Sequence, residues 1–368
     1  MLTSDDFDIL SNEASELYLE FEQGIINDIA RRLAKMSFSS ASWQVQRLSE
    51  SGLLYDDILK RLAQLTGKSE RTLREIFKKY GVKGLKFDDS IYIQAGKTPI
   101  PLNLNPAMLN VLEEGLRKTN SLLRNLTLTT AIGGQNAFIR ATDIAYLEIT
   151  NGSKDYNSAI KKAIKDIAAQ GINTVDYLSG SQKLDVSVRR AILTGVGQTV
   201  GKLQLQRASE MQSDLVQTSA HIGARPSHAV WQGKVFSRSG TSKKYSPFVE
   251  STGYGTVTGL AGVNCRHSFY PFFEGISENA YSKEELKDFK KETVKFNGQD
   301  ISVYEATQYQ RGIERKIREW KRQAEALKAA KLEAPKELAK VKQWQSAMRS
   351  FIKQTGLQKQ SVRETIVV

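Results

Sequence analysis

Apolar residues in the first 200 positions recur every three or four residues, the period of an amphipathic helix. Leu17, Phe21, Ile25, Ile29 and Leu33 step by four through "ELYLEFEQGIINDIARRLAKM" and predict one helical stripe. In "SSASWQVQRLSESGL" the serines can cap a helix and Gly52 can end one. Ile58, Leu62 and Leu65 form the next stripe, which Gly67 breaks. Ser69 can cap a further helix carrying Thr72, Leu73, Ile76 and Phe77. Two helices about a glycine, the second opening on basic residues, also outline a DNA-reading helix-turn-helix, although any two-helix corner gives this pattern. "FDDSIYIQAGKTPIPLNLNP", with Pro99, Pro101 and Pro106, predicts an extended connector or a small strand pair. Helices resume at Pro106 and continue, by three-four spacing, to about Gln212.

The pattern changes near Asp214. From His221 to Gly275 the chain is rich in Gly, Ser and aromatic residues, with β-like runs "GKVFS", "YSPFV" and "YGTVTG". Helical periodicity then returns. Ile313, Ile317, Trp320, Ala324 and Leu327 form a seam, Pro335 restarts the chain, and Leu338, Val341, Trp344, Met348 and Ile352 repeat the theme. This predicts an antiparallel helical hairpin with a basic outer face. The fold class expected is mainly α: a helical N-terminal part, a small mixed α/β domain and a C-terminal helical hairpin. The expected divisions are 1–130 and 131–215 (helical), 216–280 (small α/β) and 281–368 (basic helical tail).

A length of 368 residues suggests two or three domains. A hydrophobic share of 40% with 25% charged residues fits a soluble protein, and no run of 18 apolar residues suggests a membrane span. The N-terminus, "MLTSDDFDILSNEASELY", is acidic and unlike a secretory signal. A single cysteine forms no internal disulfide, which points to a reducing cytoplasm. The net charge of +13 makes a polyanion a plausible neighbour. Residues 301–368 carry 15 Lys and Arg against 7 Glu, so this tail holds +8 of that charge.

All three histidines and the one cysteine lie between His221 and His267. Four readings stand side by side. His221, His228, Cys265 and His267 form a set that zinc accepts, although His-x6-His and Cys-x-His are not usual finger spacings. A His base with Arg225, Lys234 and Arg266 around a phosphate would suit a nuclease or transferase, yet Glu250 is the only nearby carboxylate before Glu274. A Cys265–His267 nucleophile pair would lack every other part of such a site. Finally, the same side chains could hydrogen-bond backbone carbonyls around a core of Trp231, Phe236, Phe248, Phe269, Phe272 and Phe273.

"HIGARPSHAVWQGKVF" followed by "GVNCRHSFYPFF" resembles the hallmark of the phage minor capsid protein 2 family, related to the phage Mu F-like head-morphogenesis proteins. The shared stretches fall on Arg225, Pro226 and His228; on Gly233, Lys234, Val235 and Phe236; and on Asn264, Cys265, Arg266 and His267. At His267 the wider group often has cysteine, an exchange that keeps a metal ligand. The resemblance covers about residues 13–275; the tail rests on composition alone. It implies a virion component made in the host cytoplasm, inside the head, associated with the portal and with major capsid or scaffold proteins. Such a protein would contact packaged double-stranded DNA and aid packaging or ejection, and needs no membrane. It would be a structural protein and not an enzyme. A nuclease-like or nucleotidyl-modifying enzyme centred on His221 and His228 is the rival reading. Zinc is the one candidate cofactor. Arg315, Lys316, Arg318, Lys321 and Arg322 are the candidate DNA contacts in the tail.

Overall fold

The computed structural model describes residues 1–176 and 180–366. Among them the chain is mainly α-helical with three small sheets. The helices are α1 (Ser4–Leu33), α2 (Ser40–Gln94), α3 (Pro106–Thr150), α4 (Tyr156–Gln170), α5 (Leu184–Glu210), α6 (Pro226–Ala229), α7 (Phe248–Thr252), α8 (Lys283–Lys291), α9 (Val303–Ala329) and α10 (Pro335–Thr355). The strands are β1 (Asn173–Asp176), β2 (Gly180–Lys183), β3 (Leu215–Thr218), β4 (Val235–Ser237), β5 (Phe269–Pro271), β6 (Thr293–Phe296) and β7 (Gln299–Ser302).

The helix-turn-helix outline is not realised. Gly52 and Gly67 both lie inside α2, which runs unbroken for 55 residues. Each glycine costs a helix interior about 1 kcal/mol relative to alanine. That cost is outweighed by the buried seam of Trp43, Leu54, Ile58, Leu65, Leu73, Ile76, Phe77, Tyr80, Leu85 and Tyr92. The same seam carries "FDDSIYIQ" into helix instead of an extended connector. The stop is Gly96, at φ +73°. There the Lys97 N–H donates to Tyr92 O at 2.9 Å and the Gly96 N–H to Ile93 O at 3.0 Å, closing the helix in a Schellman motif.

The chain folds into two compact units. One comprises Met1–Ala14, Glu70–Leu122 and Arg189–Thr307; the other comprises Ser15–Ser69, Leu123–Val188 and Gln308–Val368. In the first, α3 and α5 approach closely through two reciprocal pairs. A Cβ on Gly115 would meet Thr199 Oγ1 at 2.0 Å, and one on Gly195 would meet Thr119 Oγ1 at 2.2 Å. The three-stranded antiparallel sheet of this unit has the order β4-β3-β5, with Val216 paired to Phe236 and Pro271. Of the β-like runs, "GKVFS" supplies β4, whereas "YSPFV" leads into α7 and "YGTVTG" forms turns. A second hairpin, β6–β7, turns at Asn297 and Gly298, whose φ values of +50° and +80° suit a tight two-residue turn.

The first unit also buries Asp88. Its Oδ2 accepts from Gln204 Nε2 at 3.1 Å, while Oδ1 has no hydrogen-bond partner. Desolvation pushes this carboxyl well above the ordinary range. A carboxyl whose pKa is raised on folding favours the folded state below its unfolded pKa, and that contribution is lost as pH rises through the folded value. Asp88→Asn removes the titration. Its melting temperature relative to the parent is expected to climb as pH rises from the ordinary carboxylate range. Parallel melts from that range upward check this, and a constant difference would contradict it.

The second unit contains the predicted hairpin. Tyr309 of α9 stacks on Phe351 of α10 at 5.4 Å, and Gln310 Nε2 donates to Gln358 O at 2.9 Å. Val341, Met348 and Phe351 face inward, while Leu338 of the expected seam is exposed. Helix α4 ends at Gly171, and Arg322 from α9 caps it. The guanidinium donates through Nε to Ala168 O at 3.0 Å and through Nη2 to Ala169 O at 3.3 Å. Glu22 of α1 accepts the Ile172 N–H at 2.9 Å.

Candidate metal centre

The site is built on the first unit's small sheet and the two loops that flank it. Pro226 opens α6 at a position where its missing N–H costs nothing. The Arg225 carbonyl accepts from the N–H groups of His228 and Ala229, which turns His228 inward. Gly233 holds φ +70° at the entry to β4, and a Cβ there would meet Leu286 Cδ2 at 2.6 Å. Its carbonyl accepts from Gln217 Nε2. Asn264, at φ +56°, takes the left-handed conformation that asparagine tolerates best among residues with a Cβ. It turns the chain so that Cys265 joins the core of Val216, Trp231, Phe236, Phe248, Leu260 and Phe269.

His228, Cys265 and His267 converge. Their side chains are 2%, 4% and 3% exposed. His228 Nδ1 lies 3.3 Å from His267 Nδ1, and Cys265 Sγ lies 3.8 Å from each of them. The His267 N–H donates to Sγ at 3.4 Å. Trp231 packs against both imidazoles, with ring centroids 4.7 and 4.8 Å away. His221 stands apart from the three. Its ring lies 4.3 Å from that of His267, tilted by 31°, and its Nδ1 lies 2.9 Å from Ile222 O.

The outer nitrogens fix the tautomers. His228 Nε2 lies 2.9 Å from Thr258 O, and a carbonyl can only accept, so Nε2 carries the proton. His267 Nε2 lies 3.1 Å from Gln232 Oε1. That oxygen also accepts the His221 backbone N–H, which identifies it as an acceptor and makes His267 Nε2 the donor. Nδ1 is therefore bare in both rings. Burial holds His228 down to about 4 and His267 well below the ordinary histidine range, the latter helped by nearby histidines and arginines. Burial pushes the Cys265 thiol up. Thr258 and Gln232 were not singled out from sequence. A carbonyl contact leaves no residue-type signal, and Gln232, although inside the motif, is a neutral amide whose type alone names no role.

The remaining candidates are used elsewhere. Arg225 Nη2 donates to Val263 O at 2.5 Å, and Arg266 pairs with Asp8 at 2.9 Å. Lys234 is exposed; its carbonyl accepts the Thr218 N–H at 3.0 Å. These three do not converge on the histidines. In the second unit, Arg315 and Lys316 are exposed, with Lys316 paired to Glu319 at 2.8 Å. Arg318 binds Asp185 at 2.8 Å and the Arg363 carbonyl. Lys321 donates to Glu364 O at 2.8 Å, and burial lowers its pKa. Arg322 is 5% exposed and caps α4.

This arrangement occurs in a chain with phage relatives. A structural protein of Lactococcus phage LL-H is 27% identical over 337 residues, covering 85% of this chain and 86% of the relative. A structural protein of Lactococcus phage mv4 is 33% identical over 124 residues, covering 33% of this chain and 91% of the relative. No solved structure matches. The chain is thus a bacteriophage structural protein, a component of the virion. The family model described as phage minor capsid protein 2 matches residues 2–353, and the chain belongs to that family. The match extends past residue 275 through α9 and most of α10, so the tail too is part of the family's chain. Among the described residues no helix is long and apolar enough to cross a membrane.

Proposed function

We propose that this minor capsid protein lies inside the phage head, docks to the portal through its helical part, and holds packaged DNA with its C-terminal hairpin. The observation that carries the DNA contact is a stripe on α10. Lys342, Arg349 and Lys353, spaced seven and four residues apart, share one helical face. All three are exposed, and among the described residues none forms an ion pair with a carboxylate. Phosphate binding by such a stripe is sequence-independent and releases counterions. For docking, the second unit exposes Val45 and Leu48 of α2 and Ile144 and Leu147 of α3. The protein works as a structural component and turns over no substrate. The ring nitrogens of the cluster bond to carbonyls, an amide oxygen or another ring, so none of these bonds gives a histidine base an orienting carboxylate.

The triple variant Lys342→Gln, Arg349→Gln, Lys353→Gln tests the DNA contact. Loss of three phosphate contacts flattens the plot of log K against log salt by about 3 for duplex DNA. An unchanged slope, measured by fluorescence anisotropy, refutes the contact. A virion density map with the chain on the outer shell refutes the location.

A further inference from the structure

We propose that His228 Nδ1, Cys265 Sγ and His267 Nδ1 form three vertices of a tetrahedral zinc site that pins α6 to the loop before β5. The argument starts from two lone pairs. Both Nδ1 atoms are bare, because each ring's proton is committed to Thr258 O or Gln232 Oε1. They nevertheless face one another at 3.3 Å in a buried core. Among the described residues, the one proton within reach of these nitrogens is that of the Cys265 thiol, which can serve one nitrogen and not both. Without a cation, one buried lone pair is left facing another, which leaves a buried acceptor unsatisfied.

The triangle has the dimensions of a zinc face. Bonds of about 2.0–2.1 Å to nitrogen and about 2.3 Å to sulfur, at the tetrahedral angle, place two nitrogens about 3.3 Å apart and nitrogen and sulfur about 3.6 Å apart. The edges here are 3.3, 3.8 and 3.8 Å. The outer contacts are those a metal site needs. Each imidazole donates its far N–H to an oxygen, and the sulfur receives a backbone N–H. Two imidazoles and one thiolate suit zinc in preference to hard cations. On binding, the thiol loses its proton to solvent and the metal takes the three lone pairs. His221 Nε2 is buried without a hydrogen-bond partner but lies outside the group formed by His228, Cys265 and His267, whose ligand atoms fall within 4.8 Å of one another, so His221 is not a vertex and the fourth position is left to a non-protein ligand.

The full chain, purified without chelator, is measured for metal by mass spectrometry. About one zinc per chain is expected. Cys265→Ser and His267→Ala are expected to lose it, and His221→Ala to keep it. Because the first two variants can fail to fold, the parent is also stripped and reloaded with cobalt(II). The expected spectrum combines the intense visible bands of a tetrahedral centre with a near-ultraviolet thiolate-to-metal band. Parent protein that carries no zinc and gives no such spectrum overturns the site. Zinc retained by folded Cys265→Ser overturns it as well. Loss of zinc from folded His221→Ala overturns the three-ligand assignment.

Discussion

Arg322→Ala is expected to destabilise the protein by at least about 2 kcal/mol, with about 1–3 kcal/mol for each carbonyl left without its donor. Two carbonyls at the end of α4, Ala168 O and Ala169 O, lose their donor. Glu22 loses the positive charge that most opposes its desolvation. Its pKa is already raised by burial, and without Arg322 it rises further. Such a carboxyl weakens the folded state as pH increases, so the loss is larger at alkaline than at mildly acidic pH. Denaturant titrations at two pH values measure both effects. Arg322→Lys recovers only part of the stability, because an ammonium cannot span both carbonyls with the same planar fork. A folded Arg322→Ala that melts like the parent but binds DNA poorly would instead restore the residue to the DNA surface expected from sequence.

Gly259→Ala is expected to cost at least about 3 kcal/mol, a size reserved for a named steric or polar fault. The new Cβ would sit 2.0 Å from Gly253 O, a backbone atom that has nowhere to go. The loop is tied to itself by Leu260 N–H to Thr252 O at 3.0 Å and Val263 N–H to Val257 O at 2.8 Å. Opening it removes Thr258 O from His228. Limited proteolysis between residues 253 and 263, with thermal melts, reads the result. Gly52→Ala is the contrasting control. Nothing lies within 4 Å of its Cβ, so this change is expected to stabilise α2 by about 1 kcal/mol. Equal melting temperatures for the two variants would contradict both arguments.

Comparison of these two glycines shows where the sequence was legible. Periodicity located the helices, because Phe21, Ile25, Ile29 and Leu33 are all buried as their spacing requires. It misplaced the breaks, because one glycine's intrinsic cost is small beside a seam of buried side chains. The glycines of "YGTVTG" and the residues after it looked like strand and turn. Their reason is tertiary: Gly259 and Gly262 leave room for backbone carbonyls that approach within 3 Å of where a Cβ would sit. The core aromatics Trp231, Phe236, Phe248, Phe269 and Phe272 were legible, and Phe273 is half-buried against Tyr92. The cluster was legible as a set of residue types but not as a geometry. Spacing could not reveal that His221 stands apart while the other three converge. Charge along α9 had the same ambiguity. Arg318 and Arg322 stand four apart beside the apolar seam, and there a cation either reaches solvent or turns in to a carbonyl.

The chain has one cysteine, and its sulfur is sealed in the core of the small sheet. That makes Cys265 a single-site clock. A thiol reagent added to the metal-stripped folded protein can react only when this core opens, so the labelling rate counts openings of the glycine loop without any engineered probe. Within one chain no second thiol competes for the reagent, and no internal disulfide can trap an open form. Local breathing of the motif region can thus be followed in the purified chain.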